Sequence, residues 1–197
     1  MSFELLNEIS AHFATALSFH AESRALFEFL SLPGYAAIHD YQYHDESMTA
    51  RNLKRYAITH TERLQPDAPP QDIRLITKLV NDRSRNEIKA AERTQIVQKA
   101  FSSYRQWEES TIELYSDIAK QLSESGDMAA YAYIMEIVKS VDAELAHVKD
   151  MITDLDGIGW DTIEISARQK TLEELYIFKL RELYRNYGIF HHQNSKE

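Results

Sequence analysis

The sequence predicts an all-α protein built around an antiparallel four-helix bundle. Its 197 residues include only five Gly and four Pro, and strands and hairpins need turn residues more often than that. Apolar residues also recur at helical spacing through four long segments, so each segment presents one apolar face to a core. Short turns join these segments in two pairs, and helices joined by short turns pack as antiparallel neighbours.

The first helix pair is predicted over residues 3–60. The first helix, over about 3–31, has these residues on one face: Leu6, Ile9, Phe13, Ala16, Leu17, His20, Phe27 and Leu30. Pro33 disfavours helix in the residue before it and Gly34 permits a turn, so the chain reverses here. The second helix follows to about residue 60, and its inward face is unusually polar: Tyr35, Ile38, Gln42, Glu46, Thr49, Leu53 and Tyr56.

A long crossover, residues 61–86, separates the first pair from the second. It contains a Pro-rich stretch at 64–70, and the pattern of residues 71–80 predicts a short helix. Ser84 and Glu87 have the spacing of a capping box, in which each side chain bonds the backbone of the other residue. We therefore expect the third long helix to begin there.

The second helix pair is predicted over residues 87–155. The inward face of the third helix, which ends near residue 122, contains Val97, Phe101, Tyr104, Glu108, Thr111, Tyr115, Ile118 and Leu122. Asp127 follows a Ser-Gly turn and is expected to cap the fourth helix, over about 128–155. A last helix is predicted over 171–188, opened by a capping box between Thr171 and Glu174. This helix either seals the open end of its own bundle or contacts other subunits. Residues 1–197 as a whole are expected to form a single domain.

Composition and charge argue against several classes of function. The formal net charge is −9 without a block of Lys and Arg, which argues against nucleic acid or an anionic membrane as partner. The chain has no Cys, so a metal would be held by carboxylate, imidazole or water. No signal-peptide pattern is present, and no apolar run approaches the roughly 20 residues that cross a bilayer. The expected location is therefore cytoplasmic.

Three glutamates near the middle of different helices predict a metal site: Glu46, Glu108 and Glu144. A buried carboxylate is costly unless it is paired, hydrogen-bonded or bound to a metal. Converging carboxylates repel one another, and a cation between them relieves that repulsion. His147 follows Glu144 by three residues, so both side chains project from one helix face and reach the same ion.

Two stretches of the chain also carry a family resemblance. The first runs without a gap over residues 5–56 and includes Leu5-Leu6-Asn7-Glu8, Pro33-Gly34-Tyr35-Ala36, Gln42 and Glu46. The second covers about 101–155 and includes the turn at Asp127 and Glu144. Together they resemble the helix pairs of bacterial non-haem ferritins, members of the ferritin-like superfamily, whose bundles share the long crossover. The resemblance implies a ferritin-like fold with a di-iron ferroxidase centre, which oxidises Fe(II) before the mineral is stored in a cage.

The same resemblance matches only some of the ligands of that centre to suitable residues of this chain. Glu46 and Glu108 fall on the bridging glutamates of the second and third helices, and Glu144 falls on an acidic position of the fourth. The glutamate of the first helix corresponds to Phe13, and the histidine of the second helix corresponds to Thr49. Carboxylates and imidazoles are the groups that hold iron in such sites. The resemblance therefore implies a degenerate di-iron centre.

Two histidines offer substitute ligands. His20 lies on the inward face of the first helix, and His44 lies on the second helix at about the same distance from the Pro33 turn. A shifted metal site would use His20, His44, Glu46, Glu108, Glu144 and His147. In the alternative reading, His20 and His44 are polar core residues satisfied by tyrosines, and the glutamates form salt bridges.

Three functions are compatible with these patterns. The first is a ferritin-like protein that binds iron, di-iron or mononuclear, or another divalent metal, for iron storage or Fe(II) oxidation. The second is a ferritin-derived bundle without a working metal site, acting as a structural or partner-binding protein, which Phe13 and Thr49 favour. The third is an unrelated all-α enzyme such as a haem-oxygenase-like bundle, against which the continuous match over 5–56 argues. In ferritin cages the crossover contacts a neighbouring subunit, so the resemblance implies that an enlarged crossover would modify or block cage assembly. The aromatic face of the last helix favours a homo-oligomer, and ferroxidase-type enzyme activity stays an open alternative.

Overall fold

The computed structural model describes residues 2–63, 69, 73–81 and 83–187, and all regular structure in these residues is helical. The helices are α1 (Ser2–Phe29), α2 (Pro33–Thr61), α3 (Leu75–Val80), α4 (Ala90–Glu124), α5 (Met128–Gly157), α6 (Thr162–Ala167) and α7 (Gln169–Asn186). The predicted all-α bundle with a long crossover and an additional C-terminal helix is confirmed. None of the described helices has an apolar stretch long enough to cross a membrane.

The four long helices form two pairs, α1 with α2 and α4 with α5. Ser31 takes a positive φ of 57° between α1 and α2, and Pro33 is the first residue of α2, where its missing N–H costs nothing. Gly126, with φ 81°, reverses the chain between α4 and α5. Asp127 caps α5 as predicted, since its side chain accepts a hydrogen bond from the Ala130 N–H.

The start of α4 differs from the prediction. The Ser84 N–H and hydroxyl do donate to the Glu87 carboxylate, at 2.6 and 2.7 Å, but the helix that begins there is a single 3₁₀ turn, Arg85–Glu87. The chain is extended at Lys89, and α4 begins at Ala90. In the crossover, the short helix predicted over 71–80 is observed from Leu75, while residues 71–72 lie outside the described part of the chain.

Two helices follow α5 where the sequence predicted one. The unpredicted α6 begins at Asp161, whose side chain accepts hydrogen bonds from the N–H groups of Ile163 and Glu164. The expected capping box at Thr171 does not open α7, which begins at Gln169. The predicted last residue of this helix, residue 188, lies outside the described residues.

Helix α7 lies along α2 and runs in the same direction. At its start, Gln169 Oε1 accepts a 2.7 Å hydrogen bond from the Gly34 N–H. Further along, the Tyr176 ring lies 5.9 Å from Tyr41, and Tyr184 lies 5.3 Å from His44. Helix α7 thus covers the side of its own bundle rather than its open end, and contact with other subunits stays a prediction.

Candidate metal centre

A polar layer crosses the middle of the bundle between two apolar clusters. One cluster contains the C-terminal half of α1 and the N-terminal parts of α2 and α4. The other contains the opposite halves of these helices and the N-terminal half of α5. The layer between them includes His20, Gln42, Glu46, Glu108 and Glu144.

Each of the four bundle helices contributes one metal-ligand side chain to this layer. His20 from α1 is 0% exposed and Glu108 from α4 is 1% exposed, while Glu144 from α5 is half-buried. Ligand atoms of these three residues lie within 4.8 Å of one another. The fourth side chain is Glu46 from α2, whose Oε2 lies 3.5 Å from His20 Nε2.

Several atoms of this group are buried without a hydrogen-bond partner. They are His20 Nε2, Glu46 Oε2 and Glu108 Oε1. The 3.5 Å contact between His20 and Glu46 therefore brings the groups together without making a hydrogen bond. Buried polar atoms are normally paired, and each exception needs a reason. A shared cation would satisfy all of these atoms at once.

The carboxylates of the layer resist ionisation. Burial raises the pKa of Glu108 well above its usual range, and the charges of Glu144 and Glu46 raise it further. Burial also raises the pKa of Glu144 to about 7, although His20 and a hydrogen bond from Tyr104 act in the opposite direction. Without a cation, protons must therefore neutralise part of the layer.

His20 and His39 are shifted in opposite directions. Burial lowers the pKa of His20, but attraction to Glu46 and Glu144 more than offsets burial, and the pKa lies above its ordinary value. Its neighbour His39 has a pKa well below the ordinary value because of burial and the charge of a protonated His20. The surroundings of His20 therefore favour its charged form, and those of His39 favour its neutral form.

Two side chains outside the ligand group orient its members. His20 Nδ1 lies 3.0 Å from His39 Nδ1, and the Tyr104 hydroxyl donates a 2.5 Å hydrogen bond to Glu144 Oε1. His39 is not among the site residues predicted from the sequence, although its spacing from Glu46 places both residues on one helix face. His39 precedes Glu46 by seven residues, about two turns on the same helix face.

The structure does not bring His44 or His147 into the layer. His44 Nε2 lies 3.7 Å from Asp40 Oδ1, and its ring contacts Tyr184 on α7. His147 follows Glu144 by one turn, but its Nε2 is hydrogen-bonded to the Tyr176 hydroxyl at 2.5 Å. The ligand group that the structure assembles is therefore narrower than the six residues proposed from the sequence.

Phe13, which the resemblance aligns with a ligand position, makes apolar contacts instead. Phe13 is 3% exposed and belongs to an apolar cluster, where its ring lies 5.8 Å from Tyr115. The adjacent His12 stacks on Trp107 at 4.8 Å, and its Nδ1 is hydrogen-bonded to the Tyr115 hydroxyl at 3.1 Å. Apolar and aromatic packing thus fills the region around Phe13 and His12.

The donor set of the layer fits a divalent first-row transition metal. One imidazole nitrogen and three carboxylates are donors that suit iron, manganese, cobalt or zinc, and there is no thiolate or thioether to select Cu(I). The oxygens of Glu46 and Glu108 are lone-pair donors, and His20 Nε2 becomes one when its proton is lost. Ligand atoms of His20, Glu108 and Glu144 lie within 4.8 Å of one another, a spacing that suits a single cation.

Comparison with known proteins identifies solved structures with a similar fold. No family model matches the sequence, and no curated protein matches it. A variant of Archaeoglobus fulgidus ferritin engineered into a closed form is 17% identical, with a TM-score of 0.66 over 87% of this chain and 94% of that chain. A humanized archaeal ferritin is 20% identical, with the same TM-score and coverage. The chain therefore shares its fold with these archaeal ferritins.

Proposed function

We propose that this protein binds one divalent metal ion per chain between His20, Glu46, Glu108 and Glu144. Iron is the proposed metal, held for storage or for oxidation of Fe(II). The observation that carries the proposal is the set of buried ligand atoms on three helices that face one another without hydrogen-bond partners.

Energetics favour a ligand over an empty polar layer. A buried polar atom without a partner costs about 1–3 kcal/mol, and more when it is charged. Glu108 is 1% exposed and faces two further carboxylates. A local conflict of this kind between buried carboxylates is typical of a functional site rather than of a structural core.

A single ion fits this chain better than the di-iron centre implied by the resemblance. Phe13 and Thr49 cannot supply the two ligands that a second iron would need. Phe13 is instead packed against Tyr115 in an apolar cluster. The substitute imidazole comes from His20, two turns further along α1.

In this proposal Fe(II) is the substrate, and the carboxylates of the layer balance the positive charge of the ion. Folding favours the protonated forms of His20, Glu108 and Glu144, so Fe(II) competes with protons for these groups. Negative carboxylates then stabilise Fe(III) more than Fe(II), because attraction grows with the charge of the ion. The oxidation balances when four Fe(II) ions, one from each of four chains, give one electron each to one dioxygen, which takes up four protons and forms two waters. The fold that the chain shares with archaeal ferritins supports iron over other divalent metals.

Metal titration tests this function. Chelator-treated protein is titrated without oxygen, first with Co(II) as a stable coloured probe and then with Fe(II). We expect one ion per chain, and admission of air should convert bound Fe(II) into ferric absorbance faster than in buffer.

Two neighbouring variants provide the control for the titration. Glu108→Gln should lose binding, because it removes a buried ligand. Glu109→Gln should keep it, since Glu109 makes surface ion pairs with Arg105 and Lys149. Equal binding by both variants would remove Glu108 from the site.

A ferritin-derived bundle without a working metal site is the second candidate. It is favoured by the raised pKa of Glu108, which lets a proton replace the metal, and by the apolar contacts of Phe13. In that case wild-type protein would bind no Co(II) or Fe(II) above the level of Glu108→Gln. Homo-oligomer formation is part of both proposals, and light scattering measures it independently.

A further inference from the structure

We infer that His39 is a positioning residue of the proposed metal site, which holds His20 in the tautomer and orientation that bind a metal through Nε2. The inference rests on the proposed function, because it assigns a role toward the same ion. It adds a residue from α2 that does not face the ion itself.

The geometry of the two imidazoles leaves one arrangement of hydrogens for a bound metal. His20 Nδ1 and His39 Nδ1 are 3.0 Å apart, so one nitrogen must donate and the other must accept. If His20 donates, His39 presents a lone pair, and a neutral His20 has its own lone pair on Nε2. That lone pair lies on the side of Glu46, 3.5 Å from the carboxylate oxygen.

The opposite arrangement would block binding. If His39 donated, a neutral His20 would carry its hydrogen on Nε2 and would point an N–H at the carboxylates. No lone pair would then face Glu108 and Glu144. His39 as acceptor is thus the condition under which His20 becomes a ligand, and a ligating histidine generally donates its other N–H in this way.

The packing around His39 fixes this acceptor in one place. Its ring stacks on Phe27 with an interplanar angle of 13° and lies 4.7 Å from the Tyr104 ring. Phe19 contacts both histidines edge-on. His20 and His39 are 0% and 3% exposed, so water does not compete for the bond between them. A rigid second layer of this kind sets the orientation of a metal ligand.

Two variants of similar shape separate hydrogen bonding from packing. His39→Asn keeps an acceptor near the position of Nδ1, because its side-chain oxygen branches from Cγ. His39→Leu has the same branching and no acceptor. If His39 acts by hydrogen bonding, the Leu variant should bind Co(II) about 10–100-fold more weakly, with an altered visible spectrum. The Asn variant should recover most of the affinity and the wild-type spectrum.

NMR of Zn(II)-loaded wild-type protein gives a second readout that needs no variant. Long-range ¹H–¹⁵N correlations should show His20 bound to zinc through Nε2, with a hydrogen on Nδ1 that exchanges slowly with solvent. Binding through Nδ1 would overturn the inference, even if His39→Leu failed to fold.

The outcomes distinguish this inference from the function on which it rests. If wild-type protein binds no Co(II), both fail together. If Glu108→Gln abolishes binding while His39→Leu binds as tightly as wild type with an unchanged spectrum, only the role of His39 is overturned.

Discussion

At the residue scale, Glu108 is the side chain whose chemistry conflicts most with its surroundings. It is 1% exposed, and its Oε1 has no hydrogen-bond partner. Folding raises the pKa of Glu108 through burial and the charges of Glu144 and Glu46, so the carboxyl must take up a proton when the chain folds, a cost that Glu108→Gln removes. We expect the metal-free variant to melt higher than wild type, by about 2–4 °C for each kcal/mol gained. Calorimetry in the presence of chelator measures this shift, and a lower melting temperature would show that the carboxylate stabilises the empty fold.

The same residues predict how the stability of the metal-free protein depends on pH. Groups whose pKa is raised by folding bind more protons in the folded state, so stability falls as pH rises through the folded pKa. Glu108, Glu144 (pKa about 7) and His20 all act in this direction. His39, His12 and His147 have lowered pKa values, and their opposite contribution levels off about one pH unit above the ordinary histidine pKa of about 6.5.

Between about pH 7.5 and 8.5 the melting temperature of chelator-treated wild type should therefore fall. Glu108→Gln should show a smaller fall, because one titrating group is gone. Glu109→Gln should follow the wild-type curve. A wild-type melting temperature that rose across this window would contradict the protonation states described for the layer.

Helical spacing predicted Glu46 and Glu108 as site residues, and it could also have predicted His39. Glu46 and Glu108 lie on the inward faces of their helices, as expected. His44 lies at the predicted distance from the Pro33 turn. It precedes Glu46 by two residues, however, so its side chain projects about 200° around the helix axis from that of Glu46. His39 precedes Glu46 by seven residues, a spacing that returns to the same face. The pairing of His39 with His20 could not be predicted, because it depends on how α1 and α2 pack.

At the scale of elements, the contact between α2 and α7 depends on Gly34. A Cβ atom at this position would overlap with the backbone carbonyl of Gln169, so Gly34→Ala must push α7 away from α2. Overpacking of this kind costs about 1–3 kcal/mol. Thermal melting should show the loss.

Gly157→Ala is the matched control for this element. Gly157 is the last residue of α5, and a Cβ there would meet nothing within 4 Å. Its melting temperature should stay the same or rise, because Ala favours helix over Gly by about 0.5–1 kcal/mol. Equal behaviour of the two variants would show that α7 does not pack on Gly34.

The four long helices could be predicted from periodicity, whereas the short elements could not. Ser84 and Glu87 do form the predicted contact, but such a contact caps a 3₁₀ turn as readily as an α-helix. Helix α6 has six residues, too few for a periodic pattern to identify. The position of α7 along α2 depends on contacts between residues more than 100 positions apart, such as Gly34 and Gln169.

At the scale of the whole molecule, the polar layer links both helix pairs. His20, Glu46, Glu108 and Glu144 come from α1, α2, α4 and α5, so global unfolding must disrupt the site. Metal bound only to the folded state stabilises it by about 2.7 kcal/mol at 100 times the dissociation constant. Co(II) should therefore raise the melting temperature of wild type and of Glu109→Gln by roughly 5–10 °C. Glu108→Gln should show no such rise, and an equal rise in all three proteins would indicate metal bound elsewhere.

The central claim is that one metal ion binds between the four helices. Anomalous X-ray diffraction from crystals loaded with Co(II) or Fe(II) tests it most directly. The claim predicts a single strong peak per chain, about 2.0–2.2 Å from His20 Nε2 and from carboxylate oxygens of Glu108 and Glu144. The absence of a peak there, or a pair of peaks extending toward Phe13 and Thr49, would contradict it.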